Sequence, residues 1–441
     1  MTDGTIFALA SGRGRSGVAV VRVSGPGTDH LVKTLAGDLP RPRTAVLRAL
    51  RDPADGSVID RGLVLWFPAP ASFTGEDMAE FHVHGGPAVI EAVLAALGRD
   101  GAAMPAEAGA FTRRAFENGK LDLTAVEGLA DLVAAETDGQ RRQALRQMSG
   151  ALAEIYDGWR SRLVREAAHF AAQIDFPDEG DVPEDLISGA LGRLDALGGE
   201  IAAHLADGRR GERLRDGVLV AIAGRPNVGK SSLLNCLARR EAAIVSDRPG
   251  TTRDVVEVHL DLGGVPVILA DTAGLREAGD EIEGEGVRRA ARRIEEADLV
   301  LWVIDPQDGA SHRSPDIDSE ALLVLNKADL LGDGEHEATG ADFVVSARTG
   351  LGIGGLVEGL GQWTGRLAGL GEQAGVTRAR HRAALESCIS ALGRAVAGDR
   401  RFPELIAEDI RAAAMALGRL IGRVDVEDLL EVIFAEFCVG K

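Results

Sequence analysis

The chain has 441 residues, a formal net charge of −19 and only 4% aromatic residues. That length calls for about two to four domains, each large enough for its own core. So acidic a surface repels phosphate backbones at long range and offers few rings for base stacking. Tight, unaided binding of nucleic acid is therefore not the default, which leaves a local basic groove or a partner that holds the nucleic acid.

Three cysteines, Cys236, Cys388 and Cys438, are too sparse and odd in number for a disulfide framework and fit a reducing cytoplasm. The first residues, MTDGTIFALASGRGRSG, lack the apolar core of a secretory signal. No apolar run reaches the roughly 18 residues of a membrane helix. The expectation is a cytoplasmic protein without a membrane span.

In chain order, residues 1–119 read as a compact α/β domain. GVAVVRVSG and GLVLWFPAP are strand-like runs bounded by Gly and Pro, and PAVIEAVLAAL predicts a helix with Pro87 in its first turn. In FHVHGG, His82 and His84 fall on one face of a strand, but no further ligands recur at a metal-binding spacing. Residues 120–214 turn helical, with Leu145, Met148, Leu152, Ile155, Trp159 and Leu163 three or four apart. Arg141, Arg142, Arg146, Arg160, Arg162 and Arg165 give these helices a basic character, either a solvated face or a contact for nucleic acid. The Pro- and acid-rich DFPDEGDVPED interrupts them.

Strand signals return over residues 215–372: VLVAIAG, VVEVHLDLGG, VPVILAD, LVLWVID, ALLVLN and DFVVSA. Alternation with helical stretches predicts a mostly parallel sheet. Residues 373–441 are helical again. The fold class is thus multidomain α/β plus all-α: an N-terminal α/β domain, then a helical domain into which a Ras-like P-loop domain is inserted.

The inserted segment carries a nucleotide site. GRPNVGKS, from Gly224 to Ser231, matches G-x-x-x-x-G-K-[ST] between a strand and a helix. Its backbone N–H groups suit phosphate oxygens, Lys230 the β/γ charge and Ser231 a Mg²⁺ ion. GTTRD follows, with Thr252 suited to Mg²⁺ and the γ-phosphate. DTAG ends a strand and places Asp271 near the metal and Gly274 near the γ-phosphate; NKAD and SAR end two more. Asp329 of NKAD can accept two N–H donors from guanine and none from adenine, which selects GTP over ATP.

The candidate nucleotide residues are Asn227, Val228, Gly229, Lys230, Ser231 and Ser232; Ser246, Asp247, Arg248, Pro249, Gly250, Thr251 and Thr252; Asp271, Thr272, Ala273 and Gly274; Asn326, Lys327 and Asp329; and Ser346, Ala347 and Arg348. Leu275 stands where Ras-type enzymes carry the water-orienting Gln, so hydrolysis needs another base and another positive charge. Asp280, Glu281, Glu283 and Glu285 are candidates for the base. The stretch between Asp305 and Ala321 is short for a covering helix.

These motifs stand together with TIFALASGRGRSGVAVVRVSG, SFTGEDMAEFHVHGG, ENGKLDLTAVEGLADLV and the terminal FCVGK. Over essentially its whole length the chain resembles the MnmE/TrmE family of tRNA-uridine modification GTPases. The resemblance implies an N-terminal domain that binds a tetrahydrofolate derivative (5-formyl- or methylene-tetrahydrofolate) through Arg22, Glu80, Lys120 and Lys441, and that makes a homodimer. It implies a K⁺ ion held by Asn227, Ser246, Arg248 and Thr251 in place of an arginine finger. Arg248 is set to contribute its backbone carbonyl, although its side chain and Pro249 depart from the family's usual loop. It assigns Glu283 to water orientation.

The resemblance further implies a flavoprotein partner of the MnmG/GidA type, in a heterotetramer, with FAD on the partner only and tRNA held mostly by the partner. Together these install an aminomethyl or carboxymethylaminomethyl group at C5 of the wobble uridine. The alternative is a regulatory GTPase such as a ribosome-assembly switch, which needs neither the N-terminal block nor the FCVGK tail.

The tail itself allows three readings. As a Cys-a-a-X prenylation signal, CVGK is wrong at Gly440 and Lys441. It can be a plain helix end with a packed thiol. By the resemblance it is an arm that delivers Cys438 to one-carbon chemistry, with Lys441 binding folate. For the base-reading carboxylate, Asp329→Asn is expected to move preference from guanine toward xanthine nucleotides. Competition binding with GTP and XTP measures this, and unchanged GTP selectivity contradicts the assignment.

Overall fold

The computed structural model describes residues 4–99, 101, 103–175, 185–207, 209–240, 257–271, 292–306, 320–331, 340–369, 375–424, 430, 433, 434, 437 and 440. They fall into two compact units: residues 1–130, 148–157 and 418–441, and residues 131–147 with 158–417.

The first unit is built on β1 (Thr5–Leu9), β2 (Ser16–Ser24), β3 (Val46–Arg51), β4 (Val58–Phe67), β5 (Met78–Gly85) and β6 (Ala103–Pro105), in the order β3-β4-β5-β2-β1-β6. All neighbours run antiparallel except β1 and β6. Helices α1 (Thr28–Ala36) and α2 (Pro87–Gly98) supply Leu31, Val32, Leu35, Val93 and Leu97 to the core formed with this sheet. The predicted α2 starts with Pro at the first turn, where its missing N–H costs nothing.

Strand periodicity sorts β5 cleanly. Ala79, Phe81 and Val83 are buried, while Glu80, His82 and His84 lie on the other face. β2 pairs with β5 so that Arg22 stands directly opposite Glu80. α3 (Ala110–Glu117) and the first part of α4 (Leu123–Ala134) complete the unit. Leu123 and Val126 pack with Ile433, Phe434 and Phe437, and the Arg113 guanidinium lies 5.1 Å from the Phe434 ring centre.

The tail's Gly440 has φ +99°, and a Cβ there would lie 2.2 Å from the carbonyl oxygen of Leu9. Only glycine combines that backbone with so close an approach. This is a backbone reason for the residue that spoils a prenylation reading.

The second unit takes most of α5 (Asp138–Met148) and of α6 (Ala151–Asp175), two helices separated by a break at Gly150, φ +92°. The apolar spacing from Leu145 to Leu163 therefore runs across two helices rather than along one. α7 (Asp185–Leu205) packs on α11 (Ala379–Ala397). α8 (Arg210–Asp216) leads into β7 (Val218–Gly224), α9 (Lys230–Arg240), β8 (Glu257–Leu262), β9 (Val265–Asp271), β10 (Leu299–Ile304), β11 (Ala321–Leu325), β12 (Phe343–Val344) and α10 (Ile353–Ala368). α12 (Pro403–Leu420) completes the described helices.

The strand order β12-β11-β10-β7-β9-β8 is parallel except for the β8–β9 hairpin. All six predicted strands of this segment are present, in a Ras-like arrangement. α8 is tied at both ends of its sequence neighbourhood. Arg213 pairs with Asp298 at 2.8 Å, and Asp298 also accepts the Leu219 N–H that opens β7. Burial raises the Glu212 carboxyl, but the hydrogen bonds from Arg209 and Arg382 outweigh it and hold the group below its ordinary range. The stretches around DFPDEGDVPED and between Asp305 and Ala321 lie largely outside the described residues.

Candidate functional site

Parallel strands deliver their C-terminal ends to one edge of a sheet, where loops can gather around a ligand. β7 ends at Gly224, β9 at Asp271, β10 at Ile304, β11 at Leu325 and β12 at Val344, so four of the predicted motifs begin at these ends. The loop from Gly224 turns through Asn227, a non-glycine residue at φ +65°, and Gly229 at φ +94° into α9. A helix entered through such a loop is the arrangement that binds phosphate.

Asn326 joins this loop to the next. Its Nδ2 donates to the carbonyl of Val228 at 2.9 Å, and its Oδ1 accepts the N–H of Ala347 at 3.0 Å. The side chain is 2% exposed, so both bonds are made in the protein interior. Gly229 is the complement of this side chain, because a Cβ there would sit 2.4 Å from Asn326 Nδ2.

Lys230 is buried and donates to the carbonyls of Gly224 at 2.9 Å and Arg225 at 2.8 Å. It thus arches back along the loop. Ser231 Oγ donates to Asp271 Oδ2 at 2.6 Å. Ser231, expected to ligand Mg²⁺, thus meets Asp271, expected near that ion, and both offer the hard oxygen atoms it takes. Beyond β11, Asp329, expected to read the base, has both oxygens engaged: Ser346 Oγ donates to Oδ1 and Arg348 Nη2 to Oδ2, each at 2.5 Å. The Ser346 hydroxyl first, and the Arg348 charge beside it, hold the carboxyl below its ordinary range. Lys327 pairs with Asp305 at the end of β10, a partner the sequence motifs do not name.

Val228 is buried beneath the loop, and Ser232 is exposed on the first turn of α9. Ser246, Asp247, Arg248, Pro249, Gly250, Thr251, Thr252, Thr272, Ala273, Gly274 and Glu283 lie outside the described residues. So do Cys438 and Lys441. Of the two described cysteines, Cys388 is in the core of α11, and burial pushes its thiol up to about 12. It is protonated near neutrality and is no nucleophile.

The first unit holds a second candidate site. Arg22, Arg43, Phe73, Glu80 and Lys120 are among the residues that line a cavity of about 490 Å³, in the range of small-molecule sites. Three of the four residues expected to bind folate are thus brought together. Arg22 donates to Glu80 Oε1 through Nε at 3.2 Å and Nη2 at 2.9 Å. Its guanidinium also lies 5.5 Å and 5.8 Å from the ring centres of Phe73 and Phe111. Lys120 Nζ donates to the carbonyl of Pro70 at 3.0 Å.

Phe73 lies within SFTGEDMAEFHVHGG and Phe111 in none of the quoted stretches, and only the fold reveals them as Arg22's setting. The two histidines of β5 take separate acids: His82 meets Glu80 and His84 meets Asp60. Among the described residues no cluster of His, Cys, Asp or Glu is arranged for a metal ion. Arg141 and Arg142 pair with Asp138, and Arg162 with Glu200, so part of the helices' basic character is spent locally. No described helix is long and apolar enough to cross a membrane.

Two family models cover the chain: the GTP-binding protein TrmE N-terminus over residues 5–120 and the MnmE helical domain over residues 123–438. The chain belongs to the MnmE/TrmE family. It is 55% identical over 442 residues to a protein of Maricaulis maris and 56% identical over 445 residues to one of Parvibaculum lavamentivorans, each described as "tRNA modification GTPase MnmE". The matches take in 99% of this chain in both cases, and 99% and 100% of the two relatives. Among solved structures, Aquifex aeolicus Era bound to GDP and AlF4⁻ overlaps 42% of this chain and 69% of its own, with 26% identity and a TM-score of 0.26.

Asn326 is the test of this MnmE/TrmE-type nucleotide site. Asn326→Ala removes both bonds of the clamp and leaves two buried groups unpaired, a loss of about 1–3 kcal/mol. Affinity for GDP, GTP and XTP is expected to fall together, roughly 5- to 150-fold, with no change in base preference. Titration with fluorescent nucleotide analogues measures this, and undiminished affinity contradicts the clamp.

Proposed function

We propose that this chain is the GTP-hydrolysing component of a tRNA wobble-uridine modification complex. It is a GTPase that acts in tRNA modification; the proposal adds the chemistry, the ions and the partners. What carries the reading is full-length kinship with tRNA modification GTPases, together with a GRPNVGKS loop tied through Asn326 to the turn after β12. A pure switch of the ribosome-assembly kind has no use for the Arg22–Glu80 cavity.

At the nucleotide, the chain's residues divide the work by chemistry. Backbone N–H groups of the loop and Lys230 take the phosphate charge, and Asp329 takes the guanine N–H edge. Ser231 and Thr252 would hold Mg²⁺, with Asp271 accepting from Ser231 behind them. Asn227, Ser246, Arg248 and Thr251 would hold K⁺, which supplies positive charge where other GTPases insert an arginine. Glu283 orients the attacking water, a task Leu275 cannot perform. Two G domains meet across a homodimer to complete this arrangement.

In the other unit, Glu80 would accept from a ring that offers N–H donors, and Lys120 and Lys441 would balance the charge of an anionic glutamate tail. The cavity has the size and the donor–acceptor polarity for a reduced folate (5-formyl- or methylene-tetrahydrofolate) as carbon donor. Cys438 serves the one-carbon step there. A flavoprotein of the MnmG/GidA type, carrying FAD, forms the heterotetramer and holds most of the tRNA, which agrees with the acidic balance of this chain. The product is an aminomethyl or carboxymethylaminomethyl group at C5 of uridine.

Nucleoside mass spectrometry of tRNA from a deletion strain tests the proposal. Loss of the C5-modified wobble uridine, restored by the intact gene, is expected. Intact modification in the deletion strain returns the chain to the switch reading.

A further inference from the structure

Glu80 is held on one side by a cation that cannot move far. Both Arg22 donors fall on Oε1, and Phe73 and Phe111 flank the guanidinium. The terminal torsion of a glutamate is soft, so this alone leaves Oε2 free to swing. The second anchor is His82. Two residues on along β5, it shares Glu80's face of the sheet, and its Nε2 is 3.2 Å from Glu80 Oε2. A carboxylate oxygen only accepts, so Nε2 carries the hydrogen in this contact. His82 does not line the cavity, whereas Glu80 and Arg22 do. Any effect it has on a ligand therefore passes through Glu80.

We propose that His82 is a positioning residue for reduced-folate binding. Its Nε2–H fixes the plane of the Glu80 carboxylate, and the acceptor capacity left on Oε2 serves the N–H edge of a pterin-like ring. Arg22 and His82 act as a pair, one on each oxygen, and neither alone sets the plane. The inference rests on the folate reading of the cavity given above. His84 supplies an internal control. It is on the same strand, it also bonds a carboxylate, at 2.9 Å, but that carboxylate is Asp60, which does not line the cavity.

The test is titration of 5-formyltetrahydrofolate into the full-length protein and its variants, with thermal unfolding alongside. His82→Leu is expected to weaken binding about tenfold, the scale on which outer-shell partners act. His82→Gln, which keeps an N–H donor at a similar reach, is expected to recover to within about threefold. In a Glu80→Gln background the His82→Leu change adds no further loss, and His84→Leu binds as wild type. Unfolding midpoints stay level across the set. If wild type binds and Glu80→Gln weakens it, but His82→Leu does not, the positioning role is overturned and the folate reading stands. If His82→Gln is as weak as His82→Leu, the side chain acts by packing and the proposal fails. If wild type does not bind the ligand at all, the folate reading fails and takes this inference with it.

Discussion

The nucleotide site depends on one buried amide. Asn326 donates to the GRPNVGKS loop and accepts from the turn that follows β12, so the two loops are held as one piece. An amide nitrogen and oxygen placed in the interior without partners would each cost about 1–3 kcal/mol. With partners on two different loops, that cost becomes a constraint on their spacing. Gly229 completes the fit by having no Cβ where the amide nitrogen lies. Around this clamp the charged groups settle into mutual contacts: Lys230 on loop carbonyls, Ser231 on Asp271, Lys327 on Asp305, and Ser346 and Arg348 on Asp329.

The N-terminal cavity rests on a different principle, the two-residue period of a strand. Ala79, Phe81 and Val83 face the core, and the residues between them, Glu80 and His82, are left to face the other way. Cross-strand register then adds Arg22. The sheet thus brings a carboxylate, a guanidinium and an imidazole together without a loop. Lys120 comes from outside the sheet, after α3, to line the same space.

Much of the second unit was legible in the sequence because its motifs sit at strand ends. Gly224, Asp271 and Asn326 each follow a short apolar run, and the six runs became six strands. The role of Asn326 as a clamp was not legible, since its partners Val228 and Ala347 are far away in sequence and meet it only through β11 and β12. Asp305 escaped notice for the same reason. In the first unit the resemblance named Arg22 and Glu80, but their direct opposition needs the β2–β5 register, which no local pattern fixes. His82 carried a visible clue, its spacing of two from Glu80, and was weighed only as a metal ligand. The break at Gly150 was hidden because the apolar spacing continues across it. Gly440 could be read as a misfit for prenylation, whereas its positive φ against Leu9 belongs to the packed tail alone.

Hydrogen exchange at single-amide resolution, on protein with and without GDP, tests the clamp most directly. The Ala347 N–H, bonded to Asn326 Oδ1, is predicted to be strongly protected in both states, with GDP adding little. Fast exchange at Ala347 that slows only when GDP binds would mean that the nucleotide, and not Asn326, assembles the site.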